Sequence, residues 1–209
     1  MDQGGVSVGM TLNDAPKGAM TYREYRELID CLLTEGKTTS GDPAEGQLEN
    51  VKLNLQRMNR LDLLCEITDE LKRAIARITR PQRWTVISEG WCGDAAQTVP
   101  MIAKAAALAP GRITLSIALR DQNPGLMDRF LTNGTRSIPI LVVTDRATNE
   151  VLGSWGPRPE PARALVAEFK KDPAWDKSAM LMALHTWYAK DKTSSAQHEL
   201  AELLNRLNE

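Results

Sequence analysis

The sequence is poor in cysteine, in histidine and in net charge, and each shortage closes off a class of function. Three cysteines in 209 residues, Cys31, Cys65 and Cys92, stand too far apart to form the disulfide framework of a small secreted protein. Two histidines, His185 and His198, fall on different expected helices, whereas a zinc site usually takes four ligands; no metal and no cofactor is expected. A formal net charge of −1 offers no attraction for nucleic acid or an anionic membrane. No apolar run approaches the roughly 20 residues of a membrane span. Neither G-x-x-x-x-G-K-[ST] nor H-E-x-x-H occurs, and there is no internal repeat. The first twenty residues have neither a basic start nor an apolar core, so no signal peptide is expected and the cytoplasm is the expected compartment.

What is present divides into four stretches. Residues 1–20 are Gly-rich and aperiodic and read as a loose tail. Residues 21–80 form a helical extension. In it Tyr22, Tyr25, Leu28, Ile29 and Leu32 recur at helical spacing, and a Gly- and Pro-free run from Gln47 to Arg80 carries two apolar stripes with a break expected at Asn59 to Asp62. Residues 81–172 alternate strand and helix. RWTVIS is a short β-branched strand, Asp94 to Leu108 an Ala-rich helix, and residues 112–120 a buried strand. Pro124 to Leu131 is a short helix, residues 138–145 and 150–156 a hairpin, and Pro161 to Lys171 a helix. That order, β-α-β-α-β-β-α, implies a mixed α/β sheet covered by helices. Residues 173–209 are a second helical extension: Met180, Ala183, Leu184, Trp187 and Tyr188 share one face, and Leu200, Leu203, Leu204 and Leu207 share another after an N-cap at Thr193-Ser194-Ser195.

The chemistry concentrates in Ser88-Glu-Gly-Trp-Cys-Gly-Asp-Ala-Ala-Gln97. A cysteine between a strand and a helix sits where unpaired N–H groups and the positive end of the helix dipole converge, a field that favours the thiolate. Gly93 permits a tight turn and close approach of another chain. Trp91 is placed to shield one side of the sulfur.

Trp91-Cys92-Gly93 after a strand, followed by Arg136-Ser137-Ile138-Pro139 opening a later strand, resembles the thioredoxin family over about residues 81–172. The combination of EGWCGDAAQ, TNGTRSIP and GSWGPRP is similar to a bacterial branch with a monothiol WCGDA motif. The resemblance implies a thioredoxin-like fold with helices on both faces of the sheet. It implies Cys92 as the attacking cysteine with Trp91 beside it, and Pro139 as a cis proline facing the sulfur. Ile138 would pair its main chain with a bound peptide, and Trp155 and Gly156 would line the groove along with Pro157. Trp155 reads equally as a core aromatic. Arg158 reads first as an exposed loop arginine, and second as a countercharge for Asp94.

The sequence also departs from the family. Ala95 replaces the resolving cysteine, so no C-x-x-C disulfide can form. Asp94 replaces a proline and opposes a neighbouring thiolate by on the order of 1 kcal/mol; Glu89 adds to this if it points the same way. Val86 stands where the family often keeps a buried Asp. Cys31 and Cys65 read as packing residues.

Three functions are consistent with this. The first is monothiol thiol-disulfide exchange through Cys92, with a protein or low-molecular-weight thiol or disulfide as partner and an external thiol as resolver; it calls for a thiol more acidic than the free value of about 8.5. The second is a non-catalytic peptide or protein binding module using the same groove, Trp91, Gly93, Asp94, Ile138, Pro139, Trp155 and Gly156. The last is an iron–sulfur carrier, for which no second ligand is visible. The helical extensions are candidate faces for a homodimer.

Overall fold

The computed structural model describes residues 9–208. Its elements run α1 (Tyr22–Thr34), α2 (Gln47–Leu64), α3 (Asp69–Ala76), β1 (Gln82–Ser88), α4 (Gly93–Ala107), β2 (Ile113–Leu119), α5 (Pro124–Met127), β3 (Ile140–Asp145), β4 (Val151–Trp155), α6 (Glu160–Phe169), α7 (Lys177–Asp191) and α8 (Ser194–Leu207). The sheet has the order β2-β1-β3-β4. β1 pairs parallel with β2 and antiparallel with β3, and β3 pairs antiparallel with β4. Helices cover both faces, which makes the mixed α/β sheet thioredoxin-like.

Local chemistry sets several boundaries. Thr21 and Glu24 cap α1 reciprocally, each satisfying a backbone N–H that the first helical turn leaves free. The break between α2 and α3 lies at Cys65–Thr68, later than the Asn59 to Asp62 expected from the apolar stripes. The reason is in the sequence: the Thr68 side chain accepts from the Leu71 N–H, and Asp69 and Glu70 complement the positive end of α3. At the hairpin, Asp145 Oδ1 accepts from the N–H groups of Ala147 (2.7 Å) and Thr148 (3.1 Å), and Asn149 takes a left-handed φ of 60°. These residues satisfy the backbone of the turn, and the β3–β4 ladder shifts register just beyond it, between Val143 and Thr144.

Residues 1–8 of the expected loose tail lie outside the described residues. From Met10 to Met20 the chain is tied to the sheet: Thr11 bridges to Glu150, Met20 bridges to Ile117, and the Lys17 N–H donates to Asn123 Oδ1 at 2.8 Å. These bonds satisfy backbone groups at the sheet's two ends.

One hydrophobic core unites the sheet with α1–α4 and α8. Tyr25, Met58, Leu71 and Ile75 from the N-terminal helices meet Trp84, Ile87, Ile102 and Ile117, and Leu200 and Leu204 close it from α8. Gly153 on β4 lets α8 sit flat, since a Cβ there would lie 2.8 Å from Leu203 Cδ1. A second, smaller cluster joins α6 to α7 through Ala162, Val166, Met180, Leu184 and Tyr188. The N-cap of α8 is Thr193, but its side chain does not cap the helix. Asp191 takes that role, accepting from the Ser195 N–H and hydroxyl.

Candidate functional site around Cys92

Cys92 is the N-cap of α4, at the end of the loop that leaves β1. Its sulfur accepts from the Ala95 N–H at 3.4 Å, and its S–H donates to the Ile138 carbonyl at 3.3 Å. The Ile138–Pro139 peptide is cis, as is Gly156–Pro157. Ile138 and Pro139 are buried, and so is Trp155, whose indole N–H donates to Glu199 Oε2 at 2.8 Å. Gly156 has φ +128°, and a Cβ on it would fall 2.2 Å from the Pro139 carbonyl oxygen. No side chain fits there, so glycine at 156 is what allows the Trp155 and Pro139 segments to lie side by side.

The sulfur is not open. Cys92 is only 8 % exposed. Burial, and secondarily the charge of Asp94, pushes its pKa up to about 12, against the smaller opposing effects of the backbone N–H bonds and Arg158. The Ile138 carbonyl acts in the same direction, since it can accept from a thiol but only repels a thiolate. The helix field that the sequence suggested would acidify Cys92 is thus outweighed. Burial dominates because segments distant in sequence pack around the turn.

The β4–α6 loop, α7 and α2 all meet the residues flanking Cys92. Asp94 is buried and held on both sides: Arg158 donates to Oδ2 from Nε at 3.2 Å and also from Nη2, and the Tyr188 hydroxyl of α7 donates to Oδ1 at 2.8 Å. Arg158 is accordingly the countercharge for Asp94 and not the exposed loop residue that its setting among prolines suggested first. His185, one helical turn before Tyr188, lies against Gly93, where a Cβ would come within 2.8 Å of its Cε1. Its Nδ1 is buried without a hydrogen-bond partner, and burial together with nearby Arg57 lowers its pKa to about 4, so the ring is neutral at pH 7. From α2, the Asn54 amide donates to the Gly90 carbonyl at 3.1 Å and Arg57 donates to Asn54 Oδ1 at 2.8 Å.

The remaining motif residues turn elsewhere. The Trp91 indole N–H donates to Ser40 Oγ at 2.8 Å, and the Arg120 guanidinium lies 4.7 Å from its ring centroid, a cation–π arrangement. Glu89 is fully buried but faces away from the sulfur: it accepts from the Thr39 hydroxyl and from the Asp121 N–H at 2.9 Å, and burial raises its pKa. Val86 is fully buried in β1. Cys65 is buried beside the Thr193 hydroxyl at 3.5 Å, a packing role. Cys31 does not pack; it is exposed on α1, near Glu35, because it falls on the solvent side of the Tyr25–Ile29 stripe.

The sequence directed attention to Cys92, Asp94, Pro139 and Gly156, which the fold gathers around one turn. The sequence marks His185 only as a histidine without partners for zinc, and Tyr188 only as part of an apolar helical face. The helical face of Tyr188 was legible, but the partner of its hydroxyl depends on where α7 docks.

A family-level match agrees with this architecture. A family model described as Thioredoxin matches residues 41–170. Two solved structures are similar: a protein of unknown function from Pseudomonas aeruginosa at 19% identity, and an HIV epitope-scaffold at 18%. Each has a TM-score of 0.49 over 89% of this chain and 98% of that chain. None of the curated proteins matches.

Proposed function

Because the chain belongs to the thioredoxin family, we propose that it carries out monothiol thiol-disulfide exchange in the cytoplasm, with Cys92 as its single reacting group. The observation that supports this reading is the position of the sulfur. It caps α4, accepts from the Ala95 N–H, and lies against the Ile138 main chain next to Pro139. On this reading an extended substrate pairs its main chain with residue 138 and so meets the sulfur.

The reaction has two exchange steps. The Cys92 thiol loses its proton to solvent, and the thiolate attacks one sulfur of a substrate disulfide. A Cys92–substrate bond forms, the substrate's own S–S bond breaks, and the leaving thiolate takes up a proton. With Ala95 in place of a second cysteine, a low-molecular-weight thiol then attacks the mixed disulfide. It leaves joined to the substrate sulfur and returns Cys92 as the thiol. Electrons come from that external thiol, and the protein is unchanged over the cycle.

Glutathione-dependent reduction of a glutathionylated peptide tests this. Turnover at least tenfold above that of Cys92→Ala and Cys92→Ser, with both variants folded by circular dichroism, is the expected result. Equal turnover in all three proteins overturns it.

A second reading, peptide binding without turnover, draws support from the burial and raised pKa of Cys92. It predicts capture of peptide ligands that survives Cys92→Ser.

A further inference from the structure

The geometry points to α7 as a lid that closes over Cys92 through the Tyr188–Asp94 contact and lifts to admit substrate. This inference rests on exchange at Cys92 and concerns how that site is regulated.

Three independent features carry it. First, α7 belongs to a different apolar cluster from the sulfur. Met180, Leu184 and Tyr188 pack with Ala162 and Val166 of α6, whereas Cys92 and its helix belong to the main core. Moving α7 away from α4 therefore leaves the main core closed. Second, the contacts named above between α7 and the first turn of α4 are few and specific: the Tyr188 hydroxyl on Asp94, and the His185 ring on Gly93. A polar contact of this kind can exchange for water when the helix lifts, and His185 then gains a partner for its buried Nδ1. Third, the connection to α8 is a hinge with stored backbone energy. Lys192 (φ 51°) and Thr193 (φ 70°) are successive left-handed residues without a glycine, and Thr193 is β-branched. Beyond the hinge α8 is fixed in the main core by Leu200 and Leu204, so at its C-terminal end motion of α7 relies on these two residues.

The consequence is that substrate reaches the sulfur only in the lifted form, and that Asp94, released from Tyr188, keeps Arg158 as its partner. Closure thus acts as an autoinhibitory contact made by the chain's own C-terminal extension.

The test uses the full chain and reads alkylation of Cys92 by iodoacetamide with peptide mass spectrometry, so that Cys31 and Cys65 need no substitution. Tyr188→Phe keeps the ring and removes the hydroxyl; it should speed Cys92 labelling about ten- to a hundredfold, the population shift expected on losing a hydrogen bond to a charged group. Leu184→Ala loosens the α6–α7 cluster and should act in the same direction. Leu204→Ala weakens the main core instead, and should change Cys92 labelling less than either at denaturant-free conditions. Unchanged labelling in both Tyr188→Phe and Leu184→Ala overturns the lid, as does an equal acceleration in Leu204→Ala, which would mean that labelling needs global unfolding. If Tyr188→Phe labels faster but shows no more reduction of the glutathionylated peptide than Cys92→Ala, the lid stands and exchange is the reading that fails.

Discussion

Helices α7 and α8 are neighbours in the chain and of similar length, yet they are built into the molecule in different ways. α8 sends Leu200, Ala201, Leu203 and Leu204 into the same core as the sheet and rests on Gly153. α7 buries Met180, Leu184 and Tyr188 in a separate cluster with α6, and meets the Cys92 turn through a hydroxyl and an imidazole. Apolar burial is worth roughly 25 cal/mol per Å² and has no preferred geometry, so it fixes α8 firmly. A single hydrogen bond contributes only about 0.5–1.5 kcal/mol net, or somewhat more when one partner is charged, even where it is buried like the one between Tyr188 and Asp94. The difference teaches that a helical extension can be structural at one end and conditional at the other.

The strongest way to break this comparison is to truncate one leucine in each helix. Leu204→Ala should cost about 2–5 kcal/mol of global stability by denaturant unfolding. Leu184→Ala should cost less globally, and should instead speed hydrogen exchange of α7 amides while those of α8 stay protected. Equal global losses, with exchange unchanged in α7, would show that the two helices belong to one cooperative unit.

Two glycines sharpen the same contrast. Gly153→Ala forces Leu203 to move inside a packed core and should cost about 1–3 kcal/mol. Gly93→Ala meets the end of the His185 side chain, which can swing away. Its global cost should stay within about 1 kcal/mol, because alanine also favours the helix, while iodoacetamide labelling of Cys92 rises.

The smallest effects are on pH dependence, and they have opposite signs. Cys92 has a raised pKa in the fold, so its contribution to stability is fully present below its ordinary value near 9.0 and is lost as pH rises toward about 12. Wild type should therefore lose more stability between pH 9 and 11 than Cys92→Ala, by on the order of 1 kcal/mol. His185 has a lowered pKa, so its contribution is present above 6.5 and is lost as pH falls toward about 4. The groups facing it are Arg57 of α2, Asp94 of α4 and Tyr188 of its own helix. Weaker protection of α7 amides at pH 5 than at pH 7, measured relative to the intrinsic exchange rate at each pH and absent in His185→Gln, is the expected observation; no difference between the two proteins would remove His185 from the contact.

Much of the fold could be read from residue patterns, because its signals are local. The β-branched runs around Val86, Ile117 and Val142 became strands, and the stripes ending in Tyr188 and Leu204 became helices with those faces buried. The α2–α3 break lies later than the apolar stripes suggest, because the start signal in Thr68-Asp69-Glu70 sets it and not the change of stripe. The site was legible only in part. Asp94 beside Cys92 is a sequence neighbour, so its opposition to the thiolate could be foreseen. The Arg158 and Tyr188 bonds to that carboxylate, and the burial that dominates the thiol, arise from segments separated by tens of residues, and only the docked chain brings them together.

The cover over Cys92 also bears on chemical durability. A thiol that has a cysteine partner three positions along its helix can shelter from peroxide as an internal disulfide; Ala95 denies this chain that refuge. Holding the sulfur protonated and away from water instead keeps it off the path to sulfinic and sulfonic acids, which starts from an accessible thiolate. On this arrangement the chain should survive oxidant exposure with Cys92 intact while the exposed Cys31 is modified first.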